Sequence, residues 1–383
     1  MRIGVDFRPV LFSRTGIARY VAELVKGLGA LGALDLDLRL HGDAFRRELD
    51  PVRAARIVRL GRARLYRRRI PGRLQRLLGP LGRTVDRRLD VELFHHTDLA
   101  IPPVGAVPTV VTLHDLAFEV DPSFHEPAFR RDVAPRVRAV VERAAKVITP
   151  SAETARRLGE FYGVERDRVA IVPHAADHML APDDAADEEE VRRLLDAAGV
   201  RSPYVLSVGT IEPRKNHLRL LRAFERFAAR RPHGLVLVGR WGWLCDDVRA
   251  ALAPLVAAGR AVHLETLHDR FLPGLYDAAE FSIYPSLYEG FGLPVLEAMA
   301  RGCPVVTTEG GALPEVAGSA AVACDGSSEE ALEAALACVA DDPSLRRSLA
   351  AKGRARAAEF SWLRSAAAHL DVYREVVRRS GGG

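Results

Sequence analysis

Short apolar runs alternate with longer segments of helical period along almost the whole chain. Short, largely apolar stretches of three to six residues predict strands at Arg2–Asp6, Leu36–Leu40, Glu92–Phe94, Thr109–His114, Val147–Thr149 and Val169–Val172. Apolar positions three and four apart predict helices at Ile17–Leu28 and Phe129–Ala145, and Ser151 reads as the N-cap of another. A second series follows an acidic, Ala-rich stretch, Ala181–Glu190, which reads as a linker. Its predicted strands are Tyr204–Gly209, Leu235–Val238, Val262–Leu264, Phe281–Tyr284 and Val305–Thr307, with a helix at His217–Ala229. Strands alternating with helices of 10–15 residues argue for parallel, doubly wound sheets. The fold class is therefore α/β, with two Rossmann-like domains in sequence and a last amphipathic helix at about Trp362–Arg378. Such sheets bind ligands at the carboxyl ends of their strands, so a cleft between two facing sets of strand ends is expected, with one substrate in each domain.

Length agrees with two domains, since 383 residues are enough for two separate cores. No run reaches the ~18 apolar residues of a membrane span, and Asp6 and Arg8 stand where a leader would be apolar. The four cysteines (Cys245, Cys303, Cys324, Cys338) show neither zinc nor disulfide spacing, so a reducing cytoplasm is the expected setting. The net charge of +5 hides a strong asymmetry: Arg46–Arg88 holds 15 Arg against three acids, a local +12, leaving −7 for the rest. Leu60, Leu65, Ile70, Leu74, Leu77, Leu78 and Leu81 interleave with these arginines as in amphipathic helices. The segment reads either as a solvated face or as peripheral contact with an anionic inner-membrane face or an acidic acceptor. Nucleic acid is not an expected partner, because no reader motif accompanies the charge.

Two clusters near predicted strand ends carry chemistry. In Val208-Gly209-Thr210-Ile211-Glu212-Pro213-Arg214-Lys215-Asn216 a strand ends on glycine, and two adjacent cations precede a helix. Cations are unfavourable there unless an anion is present, which points to a diphosphate held by the Arg214 fork and the Lys215 point charge. In Tyr284–Ala300, Gly290 and Gly292 permit close backbone approach, Pro294 suits a first helical turn, and Glu289 and Glu297 flank the helix start. Carboxylates so placed accept hydrogen bonds from sugar hydroxyls. Other signals have plain readings. Asp35-Leu36-Asp37 has the spacing of a metal-binding pair but alternates with leucines like one strand face. His95-His96 lacks a third ligand at metal spacing, so the histidines stand as acceptor candidates and no metal site is expected.

These blocks resemble family-4 retaining glycosyltransferases of the GT-B fold. The resemblance rests on Glu289 and Glu297 with seven residues between them, Glu289-Gly290-Phe291-Gly292-Leu293-Pro294, Glu212–Asn216 and Gly239-Arg240-Trp241-Gly242-Trp243. Gly4–Pro9, Arg14–Tyr20, Thr112–Asp115, Ala144–Ser151 and Val172–His174 extend it from Met1 to about Tyr373.

The resemblance implies an N-terminal acceptor domain over 1–185, completed by 362–380 as the last helix crosses back, and a nucleotide-sugar domain over 198–361. It also implies that Arg214 and Lys215 bind and stabilise the leaving diphosphate, and that Glu297 bridges the ribose. Glu289 would hold the transferred sugar, with His114 near the anomeric centre. Gly16, Gly209, Thr210, Glu265, Gly290, Phe291, Gly292 and Leu293 would line the donor site. Arg14, His95, His96 and Asp115 would lie on the acceptor side. The partners would be a nucleoside-diphosphate hexose of mannose or glucose type and a hydroxyl acceptor, with no cofactor and no metal. The acceptor would be a glycan, a lipid-linked glycan or a small natural product. Three departures stand out: Glu265 replaces a common glycine beside the base, His174-Ala175-Ala176-Asp177 replaces an Asn-Gly turn, and Phe7 occupies a small-residue position. Cys303, also at a small-residue position, reads as packing.

Other readings stay open from the residues alone. A sugar-nucleotide epimerase shares the architecture. A phosphorylase would need a pyridoxal-phosphate lysine beyond Lys26, Lys146, Lys215 and Lys352. A non-catalytic sugar-nucleotide-binding protein would bind the donor without turnover.

Overall fold

The computed structural model describes residues 1–45, 48–70, 84–99, 101–180 and 185–381. They divide into two compact units. The first comprises Met1–Leu116, Arg131–His174 and Ser361–Gly383; the second comprises Ala117–Arg130 and Ala175–Phe360.

Seven parallel strands form the sheet of the first unit: β1 (Arg2–Asp6), β2 (Asp37–His41), β3 (Arg64–Tyr66), β4 (Leu93–His96), β5 (Thr109–Thr112), β6 (Lys146–Thr149) and β7 (Val169–Ile171). Their order is β3-β2-β1-β4-β5-β6-β7. The second unit has six: β8 (Tyr204–Val208), β9 (Gly234–Val238), β10 (Ala261–Leu264), β11 (Phe281–Tyr284), β12 (Val305–Thr308) and β13 (Val322–Cys324), ordered β10-β9-β8-β11-β12-β13. Both sheets are entirely parallel, as their strand pairs show. The strand order reverses between β1 and β4 in one unit and between β8 and β11 in the other. Those two switch points are where an open α/β sheet leaves a crevice beyond its carboxyl ends.

Val205, Leu206, Leu235, Val236, Phe281 and Ile283 are buried on β8, β9 and β11, because helices cover both faces of the second sheet. In the first unit, the helix Trp362–Gly381 lies on the helix Gly16–Ala30 so closely that a Cβ at Gly27 would sit 2.7 Å from the Ala366 Cβ. A buried polar chain ties it to the sheet. His369 Nδ1 faces the Ser365 carbonyl at 2.7 Å, so it must donate, and Nε2 accepts from the Tyr20 hydroxyl at 2.8 Å. Tyr20 then accepts from Thr112, Thr112 from His95 Nε2, and His95 Nδ1 from the Tyr373 hydroxyl. Every proton in this chain has one direction, set by a carbonyl that can only accept.

The structure corrects several expectations. The stretch read as a linker runs into the helix Glu188–Ala197, which opens on a capping box in which Asp187 accepts from the Glu190 N–H and the Glu190 side chain accepts from the Asp187 N–H. Residues 181–184 lie outside the described residues. In the division into two units, the chain passes from the first to the second after His174 and returns at Ser361, and Ala117–Arg130 group with the second. In the basic segment, Arg64–Tyr66 is the edge strand β3, which helical interleaving did not predict; Leu74, Leu77, Leu78 and Leu81 lie outside the described residues. Within the described part of this segment, Arg67 pairs with Glu48, and Arg88 pairs with Asp43 just before it. Asp35 is paired with Arg374 and Asp37 with Arg39, so the Asp35–Asp37 spacing is structural.

Candidate functional site

The loops leaving β8 and β9 run side by side. Ile211 N–H donates to the Arg240 carbonyl at 2.9 Å, and Gly242 N–H to the Ile211 carbonyl at 2.8 Å. Gly239, at φ +145°, is required here, because a Cβ would lie 2.0 Å from the Gly209 carbonyl oxygen. Past Gly209 and Thr210 the chain makes a single 3-10 turn, Pro213–Lys215, and reverses at Asn216 (φ +61°) before the helix His217–Ala228. The Asn216 amide donates to the carbonyls of Pro285 (3.1 Å) and Gly326 (2.7 Å), which ties this turn to the loop after β11.

Across the switch point, β11 ends at Tyr284 and leads into Pro285–Gly292 and the helix Leu293–Arg301. The Leu287 N–H donates to the Arg214 carbonyl at 2.7 Å, so the two loops are stitched backbone to backbone. Gly310 and Gly311, after β12, press against the same loop from the other side. A Cβ at Gly311 would lie 2.3 Å from the Glu289 carbonyl oxygen, and the Ala312 N–H donates to that oxygen at 2.8 Å.

This scaffold brings Arg214, Lys215 and Glu289 together. Glu289 Oε2 accepts from Arg214 Nη1 at 2.7 Å. Its Oε1 accepts from Lys215 Nζ at 2.6 Å, Ser286 Oγ at 2.5 Å and the Tyr284 hydroxyl at 3.1 Å. Arg214 also pairs with Glu212 at 2.7 Å. Two cations and two carboxylates, all largely buried, therefore balance. The anion that the sequence demanded beside Arg214 and Lys215 is already present as Glu289. Burial alone would raise the Glu289 carboxyl, but the Arg214 and Lys215 charges and its hydrogen bonds hold it down at about 2. Lys215 is pulled below its ordinary value by burial and by Arg214, with Glu289 and Glu212 opposing. Burial keeps the Tyr284 phenol protonated, with Glu289 adding to the effect, so it remains a donor.

Glu297, one turn into its helix, is buried and accepts from His178 Nε2 at 3.2 Å. The helix begins at Gly292 (φ +106°) with Pro294, which has no N–H, in its first turn; the Val295 and Leu296 N–H groups donate to the Gly292 carbonyl, so the turn presents the Leu293 N–H and the positive end of the helix to an anion. The Phe291 side chain is core, edge-on to Phe360, so only its backbone is available to a ligand. Leu293 opens the helix half-buried, and Glu265 is exposed just past β10.

In the first unit, Arg14 and Gly16 are exposed at the start of the helix Gly16–Ala30. His114 lies two residues past β5, a strand later in the count than expected because β3 precedes it. Its Nε2 donates to the Thr97 carbonyl at 3.0 Å, and its Nδ1 is 3.3 Å from His174 Nε2. Burial lowers its pKa, so the ring is neutral with both nitrogens engaged. Asp115 follows, half-buried. His95 is not an acceptor residue: it is fully buried and hydrogen-bonded at both nitrogens in the chain that anchors the last helix. His96 is also buried, edge-on to Phe94.

Sequence reasoning gave no role to Glu212, Tyr284, Ser286, Gly310-Gly311 or His178. The Gly-Gly pair after a strand was a readable sign of close backbone approach; the others act through pairings distant in sequence. Among the described residues no three His, Cys, Asp or Glu side chains group to hold a metal ion, and no helix is long and apolar enough to cross a membrane.

Comparison with known proteins supplies the family. The model of the glycosyl transferases group 1 matches residues 197–356, and that of glycosyltransferase family 4 matches residues 14–180. Over 98% of its length the chain is 29% identical to the whole of the Escherichia coli O-antigen chain mannosyltransferase B. It is 30% identical to the MMP alpha-(1->4)-mannosyltransferase of Mycolicibacterium hassiacum, covering 76% of this chain and 72% of that one. In fold it resembles sucrose-phosphate synthase from Thermosynechococcus elongatus (TM-score 0.76, 21% identity, 99% and 100% of the two chains). It also resembles Anabaena HepE in complex with UDP and glucose (TM-score 0.73, 16% identity, 98% and 100%). The fold is GT-B, and with both family models matched in order along it the chain belongs to glycosyltransferase family 4.

Proposed function

We propose that this glycosyltransferase moves a hexose from a nucleoside-diphosphate sugar to an acceptor hydroxyl, with retention of anomeric configuration and without a metal. The observation that carries the reading is the buried Arg214–Lys215–Glu289 cluster at the switch point between β8 and β11. Mannose is the favoured sugar, because two relatives of this chain, at 29% and 30% identity, are named as mannosyltransferases. HepE in complex with UDP and glucose supports a nucleotide-sugar donor for the shared fold.

In this reading the bond from the anomeric carbon to the diphosphate oxygen breaks, and its electron pair leaves with the diphosphate. The acceptor hydroxyl bonds to the same face of the anomeric carbon and gives its proton to the leaving phosphate oxygen. Arg214, Lys215 and the positive end of the helix that starts at Leu293 oppose the charge that develops on the phosphate, as in an oxyanion hole. Glu289, ionised and held by four donors, offers a fixed acceptor to sugar hydroxyls. Glu297 binds the ribose. Gly16, His114 and Asp115 of the first unit serve the donor phosphates, the sugar and the acceptor. As both His114 nitrogens are engaged within its own unit, its contact with sugar is through the ring edge.

The test is transfer of radiolabelled mannose or glucose in the presence of a chelator. Wild-type transfer persists, and Lys215→Met falls by about 100-fold or more, on the scale of losing one oxyanion-hole donor. Transfer by Lys215→Met at the wild-type rate contradicts the assignment.

A further inference from the structure

Glu297 accepts one hydrogen bond, on Oε1 from His178, and its Oε2 has no hydrogen-bond partner among the described residues. The carboxylate is thus held by one oxygen and offered by the other. His178 comes from a distant stretch of chain, the short turn Asp177–Met179 just after the second unit resumes at Ala175. That turn is fixed on the Glu297 helix a second time: Arg301, one turn further along, donates from Nη1 to the Met179 carbonyl at 2.9 Å. Arg301 is itself forked onto Asp277. The Met179 side chain is buried in the same core as Val295, Leu296 and Met299. His178 therefore rests on a platform anchored to the helix whose carboxylate it touches, and its placement does not depend on a mobile side chain elsewhere.

We infer that His178 is a positioning residue for the nucleotide: by donating from Nε2 to Glu297 Oε1, it fixes the plane of the carboxylate that receives the ribose hydroxyls. The inference rests on the nucleotide-sugar reading above. Two vicinal hydroxyls reach a carboxylate together only if its plane is set beforehand, and a buried glutamate with one oxygen unheld turns about its last torsion. Fixing a ligand group through a neighbouring hydrogen bond is the way outer partners orient metal-binding histidines, and the same logic applies to a hydroxyl-binding carboxylate. The histidine acts through Glu297, so its effect belongs to nucleotide binding.

Calorimetric binding of UDP, GDP and ADP, each against its 2′,3′-dideoxy counterpart, tests this without knowledge of the acceptor. Wild type is expected to prefer the ribose form of its nucleotide by about tenfold or more. His178→Leu should lose that preference to within about threefold, and His178→Gln, which keeps a donor, should recover most of it. A simple packing role predicts instead that both forms weaken equally, with the ratio unchanged in His178→Leu, and that result overturns the inference. If wild type binds a diphosphate but does not distinguish ribose from dideoxyribose, the role of Glu297, and with it that of His178, is also overturned. If wild type binds none of the diphosphates, the nucleotide-sugar reading itself fails.

Discussion

Glu289 is the residue on which the charges beside β8 and β11 balance. Removing one partner of a buried, hydrogen-bonded ion pair typically costs about 3–5 kcal/mol, because the other is left uncompensated. Glu289→Ala leaves Arg214 with Glu212 and deprives Lys215 of its carboxylate, so urea unfolding should show a loss of that size. An unchanged midpoint would contradict the balance described. The same carboxyl also fixes a pH dependence. Folding lowers it from an ordinary 4.5 to about 2, so the unfolded chain binds more protons between those values. Its contribution is complete above about pH 4.5 and fades as pH falls towards 2, and the acid limb should flatten in Glu289→Ala. Sequence alone made Arg214, Lys215 and Glu289 legible as polar residues at strand ends. That they pair with one another was not legible, since the contact spans some 75 positions and depends on which strands are neighbours in the sheet.

The helix Trp362–Gly381 is held by a polar chain with a single proton order, and its histidines must be neutral for that order to exist. Burial pushes His369 down to about 4 and His95 well below its ordinary value. For groups lowered in this way, stability is complete above about pH 6.5 and falls as pH drops towards 4, where the unfolded chain takes up protons that the folded chain refuses. Tyr20→Phe removes the middle link and strands His369 Nε2 and the Thr112 hydroxyl. It should cost about 1–3 kcal/mol by thermal unfolding at pH 7. At the loop level, Gly239→Ala places a Cβ against the Gly209 carbonyl and should cost about 1–3 kcal/mol while displacing the Thr210–Lys215 loop. Apolar runs located the buried strands to within a residue or two, because parallel strands covered on both faces read as continuous apolar stretches. They failed at β3, where Arg64-Leu65-Tyr66 forms a short and partly exposed edge, and at the three-residue strand β13. The helix Glu188–Ala197 was masked by its acidic composition, although Asp187 followed three residues later by Glu190 is a readable capping signature.

Across the whole molecule, the chain enters and leaves the first unit more than once, so its last segment completes a structure begun at residue 1. Truncation after Phe360 removes the partner of the helix Gly16–Ala30 and leaves Tyr20 and His95 without His369 and Tyr373. Dye binding to newly exposed apolar surface and a lower melting temperature should follow, and an unchanged melt would contradict this. The two-unit organisation was legible because strand and helix periods repeat in two series; the bounds were not, since Ala117–Arg130 changes units without any change in composition. In the proposed reaction the Arg214–Lys215–Glu289 cluster receives a nucleoside diphosphate. Its most direct test is thermal shift of the full chain, with a chelator present, against UDP, GDP, ADP and dTDP and their glucose and mannose conjugates. A ligand at about 100 times its Kd adds about 2.7 kcal/mol, enough for a rise of a few degrees. One nucleotide should raise the melting temperature of wild type and not of Lys215→Met. No response to any of them, or an equal response in both proteins, would contradict it.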